Sequence, residues 1–209
     1  MKKEKFSNKT LLFLIIISII LFIILSLLVS TNSFITKLDL QISKLISNLW
    51  NPYINDIFLF ITNIGSILVM TILTILLAGF LFYKNKNKLN IIVLSTIILG
   101  LISQLTLKAL IHRLRPEDSI IDFARFSFPS GHTTMSFIFF TLAIITLKDF
   151  IKNKIAFIIF IIINILLIIL ISFSRIYLNA HWLSDIIGGY LLAIFVISLI
   201  LLITNKIIK

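Results

Sequence analysis

The 209-residue chain has no cysteine, only three prolines and six glycines, and eight acidic residues against nineteen lysines and arginines. Without cysteine there is no disulfide framework, no thiolate metal site and no cysteine nucleophile. The few carboxylates form no cluster of magnesium or zinc type. Glu117, Asp118 and Asp122 stand in one loop without partner ligands, so neither a metal nor another cofactor is expected. The net charge of +11 would raise nucleic acid as a partner in a soluble protein. No aromatic-interleaved basic stripe and no nucleic-acid module accompanies it, so nucleic acid is not an expected partner.

What fills the chain is apolar. Hydrophobic residues make up 59% of it, above the globular norm, and the mean hydropathy is +1.15. A helix needs about 20 apolar residues to cross a bilayer. Six stretches, at 11–30, 57–83, 89–110, 131–147, 155–173 and 186–204, are long enough or nearly so. The third carries Lys108 near its end, where a long side chain reaches the interface, and the fourth reaches membrane length only by including Gly131 and His132. Backbone groups in lipid must pair internally, and the Ile, Leu and Phe runs lack barrel alternation. The expected fold is therefore an all-α integral-membrane bundle of six transmembrane helices. It forms a single domain over 1–209, with no internal repeat, no low-complexity linker and no discontinuous helix pair.

Residues 1–30, basic and then apolar, resemble a signal peptide. The run exceeds a typical signal core and Ser30-Thr31-Asn32-Ser33 offers no cleavage site, so a retained helix is expected. Residues 33–50 place Phe34, Leu38, Ile42, Leu45 and Leu49 at helical spacing, with Lys37, Asp39, Gln41 and Lys44 between them. That pattern predicts an amphipathic helix at the outer interface, either a lid or lipid-guiding surface or a simple connector. Lysines give the orientation. Twelve of them (Lys2, Lys3, Lys5, Lys9, Lys84, Lys86, Lys88, Lys148, Lys152, Lys154, Lys206, Lys209) fall on one side of the expected bundle, against Lys37, Lys44, Lys108 and all four arginines on the other. The richer side, with both termini, is expected to be cytoplasmic.

The opposite side gathers three polar signatures: Lys108-x6-Arg115-Pro116, Pro129-Ser130-Gly131-His132, and Ser174-Arg175-x5-His181-x3-Asp185. Ser130 is a good N-cap, and a helix start presents unpaired N–H groups to anions. Alone, the tetrapeptide is equally an ordinary capped helix start with an interfacial histidine. Lys108 and Arg115 can approach one anion from different sides; the alternative is snorkelling at the interface, but positive charge on the outer side runs against the topology rule. His112 and Arg113 are taken as lining or structural. His181 and Asp185, four apart at the start of the sixth helix, share a face. A carboxylate on one imidazole nitrogen leaves the other unprotonated, as in a histidine nucleophile or base. Alone, they are equally a capping Asp and a surface histidine. Gly188-Gly189 fits tight helix packing. One explanation covers all three signatures. Lys108, Arg115 and Arg175 surround a phosphoryl group, supported by Ser130 and the N–H groups of Gly131 and His132, while His181 and His132 supply nucleophile and acid.

In these residues the chain resembles the type 2 phosphatidic acid phosphatase (PAP2) superfamily, whose signature is K-x6-RP, PSGH and SR-x5-H-x3-D. Every fixed position is matched in order, and Thr62-Asn63-Ile64-Gly65-Ser66 looks like the same stretch of small bacterial members. The resemblance implies that His181 attacks phosphorus to form a phosphohistidine, with Asp185 fixing its tautomer. It implies that His132 protonates the leaving oxygen and then activates water, and that Lys108, Arg115, Ser130, Gly131 and Arg175 hold the phosphate. The implied activity is a metal-independent lipid phosphatase of the bacterial plasma membrane with its site facing outside. The implied substrates are undecaprenyl pyrophosphate or phosphatidylglycerol phosphate. Soluble vanadium haloperoxidases share the signature but need no membrane spans. Three other expectations stay open: a lipid phosphotransferase, a catalytically dead lipid-phosphate-binding scaffold, and a transporter.

Overall fold

The computed structural model describes residues 7–31, 33–121 and 126–207. Asp122 and Arg125, with Lys2, Lys3, Lys5, Asn32 and Lys209, lie outside the described residues. Among the described residues eight helices follow one another: α1 (Asn8–Ser30), α2 (Phe34–Ser47), α3 (Pro52–Ile64), α4 (Ile67–Tyr83), α5 (Asn87–Ile111), α6 (Gly131–Leu147), α7 (Lys154–Tyr177) and α8 (Leu183–Ile207). Six of the helices start in the same way. Ser7, Ser33, Asn51, Ser66, Ser130 and Asn153 each accept a first-turn N–H with their side chains, satisfying donors that the helix itself leaves open. Among the described residues the only strand-like pairing is an isolated bridge between Leu114 and Phe126.

Among the described residues four helices (α1, α5, α7 and α8) are long and apolar enough to cross a membrane, and α3 with α4 makes a fifth if the bent pair is one span. α6, at 17 residues, is shorter. It is also the most enclosed, packing against α4, α5, α7 and α8. Ile138, Leu142, Phe139, Phe140 and Ala143 are buried. Its buried hydroxyls close onto their own helix: Thr134 Oγ1 donates to the Ser130 carbonyl (2.9 Å) and Thr146 Oγ1 to that of Leu142 (2.7 Å). The outer helices show the reverse pattern, with Phe13, Leu27, Ile155 and Ile169 exposed on the bundle's surface, as lipid-facing side chains are.

Three features depart from the sequence expectations. The predicted continuous span 57–83 is a discontinuous pair, α3 and α4, bent by 42°. Gly65 ends α3, while Ser66 turns extended (φ −66°, ψ 154°) and its side chain caps α4. A Cβ on Gly65 would stand 2.5 Å from Ile171 and 3.2 Å from His132, so the elbow is pressed against α7 and α6. Second, His181 does not belong to the last helix but to the turn before it. Third, the predicted apolar stripe of α2 and its burial do not coincide: Phe34, Leu45 and Leu49 are exposed, Leu38 and Ile42 half-buried, and Asp39 buried. Lys37, Gln41 and Lys44 stay exposed as expected, while Asp39, Ser43 and Ser47 face the protein. Ser43 Oγ donates to Asn179 Oδ1 (3.0 Å), Asn179 Nδ2 to Ser47 Oγ (2.9 Å), and Trp50 Nε1 to the Tyr177 carbonyl (2.8 Å).

α8 meets α6 through Gly188 and Gly189. A Cβ on Gly188 would lie 2.5 Å from the fully buried Phe128 ring, and one on Gly189 3.0 Å from the Ser130 carbonyl. Around Gly79 nothing stands within 4 Å. Gly188→Ala should therefore lower stability by about 1–3 kcal/mol through overpacking. Gly79→Ala should leave it unchanged or raise it by up to about 1 kcal/mol. Thermal unfolding in detergent compares the two, and equal effects would contradict the packing described.

Candidate active site

One carboxylate organises the site. Asp185 is the third residue of α8 and fully buried. Its Oδ2 accepts the Trp182 N–H at 3.0 Å, the reach-back half of a capping box. The same oxygen lies 3.2 Å from His181 Nδ1. The other imidazole nitrogen, Nε2, is 3.1 Å from Arg115 Nη1. A guanidinium only donates, so Nε2 is the lone-pair nitrogen and Nδ1 carries the proton to Asp185. Arg115 also donates to the Ala180 carbonyl, which fixes it against the His181 turn.

The remaining signature residues come from three helices, α5, α6 and α7. Lys108, in the last turn of α5, donates to the Phe126 and Ser127 carbonyls (3.2 and 3.0 Å). α5 stops there because His112 adopts the left-handed conformation (φ 54°) and returns its N–H to the Lys108 carbonyl. His112 also packs edge-on against Phe126, a structural role. Arg175, in the last turn of α7 and 1% exposed, donates to Thr62 Oγ1 at 2.6 Å. His132 sits in the first turn of α6, against the Gly65 elbow. Ser130 caps α6: its N–H donates to the Asp185 carbonyl (3.0 Å) and its Oγ accepts from Thr133 Oγ1 (3.1 Å). Gly131, the first residue of α6, backs onto the Gln104 amide. Glu117 and Asp118 stay exposed in the loop. Among the described residues no group of three or more His, Asp or Glu is placed to hold a metal ion.

Arg113 lies deeper than its sequence reading implied. Nη1 donates to Asp185 Oδ1 (2.7 Å) and Ser184 Oγ (2.6 Å), and Nη2 to Asp39 Oδ2 (2.6 Å). Its guanidinium also lies 5.5 Å from the Trp182 ring centroid. Removing one partner from such a buried pair costs about 3–5 kcal/mol.

Sequence reasoning missed Thr62, Asp39, Ser184 and Gln104 as parts of the site. Gln104, one turn before Lys108, is 4% exposed, and its Oε1 accepts no hydrogen bond. Thr62 could have been found from the Thr62-Asn63-Ile64-Gly65-Ser66 stretch. Asp39 gave no signal, because an acid on an amphipathic helix ordinarily faces water.

The electrostatics favour an uncharged imidazole. Burial, then the positive charges of Arg115, Lys108, Arg175 and His132, push His181 well below histidine's usual range. Burial also lowers Arg115, against the opposing pull of Asp185. A buried neutral imidazole with its lone pair turned toward clustered cations can attack an electrophile whose negative oxygens those cations hold.

The PAP2 superfamily model matches residues 88–209, which contain all three signatures. Phosphatidylglycerophosphatase B of Bacillus subtilis (strain 168) is 28% identical over 185 residues, covering 86% of this chain and 89% of that protein. The fold resembles the crystal structure of the first transmembrane PAP2 type phosphatidylglycerolphosphate phosphatase from Bacillus subtilis. The TM-score is 0.82 at 24% identity, covering 93% of this chain and 96% of that one. Aquifex aeolicus LpxE superimposes with a TM-score of 0.62 at 26% identity, over 81% of this chain and 95% of the other.

An imidazole so placed has a definite titration. The folded state disfavours the proton and the unfolded chain takes it up below pH about 6.5. His181 therefore stays neutral as pH falls through 6.5, and the stability tied to it is lost at lower pH. Imidazole shifts of histidine-labelled protein in detergent, assigned with His181→Asn, should show no His181 titration between pH 8 and 6. A transition near 6.5 would contradict the site's electrostatics.

Proposed function

The chain belongs to the PAP2 superfamily and is a phosphatase of that group, and from that premise we propose that it removes phosphate from a membrane lipid through a phosphohistidine on His181. The observation that carries this reading is the orientation of one ring. His181 gives Nδ1 to Asp185 and turns Nε2 toward Arg115, with Lys108, Arg175 and His132 close enough to oppose its protonation.

In the proposed reaction Lys108, Arg115 and Arg175 hold the phosphoryl oxygens, with the Ser130 hydroxyl and the N–H groups of Gly131 and His132 at the start of α6. Nε2 forms a bond to phosphorus as the bond to the lipid oxygen breaks, and His132 gives that oxygen a proton. His132 then takes a proton from water, whose oxygen displaces His181 and releases inorganic phosphate. Positioning and fixed charge supply the acceleration, and no step calls for a metal. The whole chain 1–209 acts as one unit.

The substrate follows from the relative's name and from the surface. Phosphatidylglycerol phosphate is the first candidate and undecaprenyl pyrophosphate the second. Both put a phosphate at the interface and an apolar chain in lipid. An apolar recess of about 540 Å³ between α1, α5 and α8 takes in Leu107 and Ile111, on either side of Lys108, and continues along Phe22 and Leu191. In the proposed topology the α3–α4 pair and α6 each cross the bilayer. That gives six spans in a bacterial plasma membrane, cytoplasmic termini and an outward-facing site, as the lysine distribution favours.

Purified protein should release phosphate from at least one of the two lipids in EDTA and be inhibited by vanadate. His181→Ala should lower the rate by about 10³-fold or more. Full activity of that variant would overturn the mechanism. Because the chain has no cysteine, single cysteines report topology directly. In intact cells an impermeant maleimide should label Asn51→Cys and spare Asn85→Cys. The reverse pattern would overturn the orientation.

A further inference from the structure

α2 is joined to the reacting histidine through a chain of buried ionic bonds that begins at Asp39. Asp39 lies in the middle of a short helix whose other polar anchors hold the α7–α8 turn. It is 3% exposed, with nearly all of its carboxylate satisfied. Oδ1 accepts the Ser184 N–H at 3.1 Å, and Oδ2 accepts Arg113 Nη2 at 2.6 Å together with the Ser184 hydroxyl. Arg113 spans the gap, with Nη1 on Asp185 Oδ1 at 2.7 Å, while Asp185 Oδ2 holds His181 Nδ1 at 3.2 Å. A carboxylate on each side of one guanidinium balances it. If Asp39 lost its charge, Arg113 would bear on Asp185 alone and compete with His181 for that carboxylate.

We propose that Asp39 is a positioning residue for the phosphatase reaction. Acting through Arg113, it holds Asp185 in the orientation that points His181 at phosphorus, and so makes an active site conditional on α2 being docked. A buried acid is costly to desolvate unless it is paired and hydrogen-bonded. Its partners account for it: three hydrogen bonds to groups within two residues, or one guanidinium, of the Asp185–His181 pair. Outer partners that fix the tautomer and ring angle of metal-bound histidines change affinity or activity by about 10- to 100-fold when removed, and an attacking histidine depends on its orientation in the same way. The proposal rests on the phosphatase reading, and the wild-type protein tests that part separately.

The experiment is steady-state phosphate release from dioctanoyl phosphatidate in detergent micelles, from pH 5 to 9, with folding checked by thermal unfolding. Absence of phosphate release by the wild type on this lipid and on the two lipids named above would overturn the phosphatase reading itself. Given an active wild type, Asp39→Asn should lower kcat about 10-fold or more with KM nearly unchanged. It should also move the acid limb of kcat/KM to lower pH. The lost negative charge leaves more positive field on His181, which already faces Arg115, Lys108, Arg175 and His132 across the site, with Asp185 on its other side. Asp39→Glu, which keeps the charge, should recover the wild-type limb. If Asp39→Asn does not fold, Arg113→Lys, which keeps the cation but gives up the two-armed bridge, should show the same loss of kcat at constant KM. An unchanged kcat, a fall with KM rising in proportion, or a fall with no movement of the acid limb in Asp39→Asn would overturn the proposal.

Discussion

Asp185 is the residue on which the polar end of the bundle depends. Its carboxylate starts α8 by taking the Trp182 N–H, orients His181 through Nδ1 and anchors Arg113, while its carbonyl receives the Ser130 N–H at the head of α6. A fully buried carboxylate without such partners would cost several kcal/mol, so the surrounding residues satisfy it in every direction. In doing so they bring together the starts of α6 and α8 and a loop arginine, which lie far apart in sequence, around the histidine that precedes α8. The two glycines that follow let α8 press close enough to α6 for those bonds to form.

Around this centre the membrane setting decides which faces of the helices turn inward. Lipid accepts apolar side chains, so an amphipathic helix at the protein's edge can turn its polar stripe toward the protein and its apolar stripe outward. α2 does this with Asp39, Ser43 and Ser47, while Lys37, Gln41 and Lys44 stay exposed. α6 takes the opposite position, enclosed by four helices, which is why a 17-residue helix suffices at the centre of the bundle. The elbow between α3 and α4 completes the enclosure, giving Thr62 to Arg175 and backing His132 with Gly65.

The helices were legible because uninterrupted apolar runs bounded by capping residues leave little else possible in a bilayer, and α1, α5, α6 and α7 follow the expected spans closely. The signatures were legible because cations and histidines at membrane ends are costly unless they work together. The elbow was not. Gly65-Ser66 inside an apolar run reads as a tolerable interruption, and only the approach of Ile171 and His132 makes it a break. Asp39 was unreadable for a related reason: the pattern of α2 shows two faces but not which one meets protein. Placing His181 on a helix was a matter of spacing. A helix start with its third residue reaching back gives the same neighbours as a full turn, so the pairing with Asp185 came out while the backbone around it did not.

The central claim is that His181 carries the phosphoryl group. Its most direct test is rapid quenching of the protein during turnover with a lipid labelled with ³²P at the phosphate, followed by peptide mapping. The account predicts an acid-labile, alkali-stable phosphoryl label on His181 that disappears in His181→Ala. A label on another residue, or turnover with no covalent label trapped at any quench time, would contradict it.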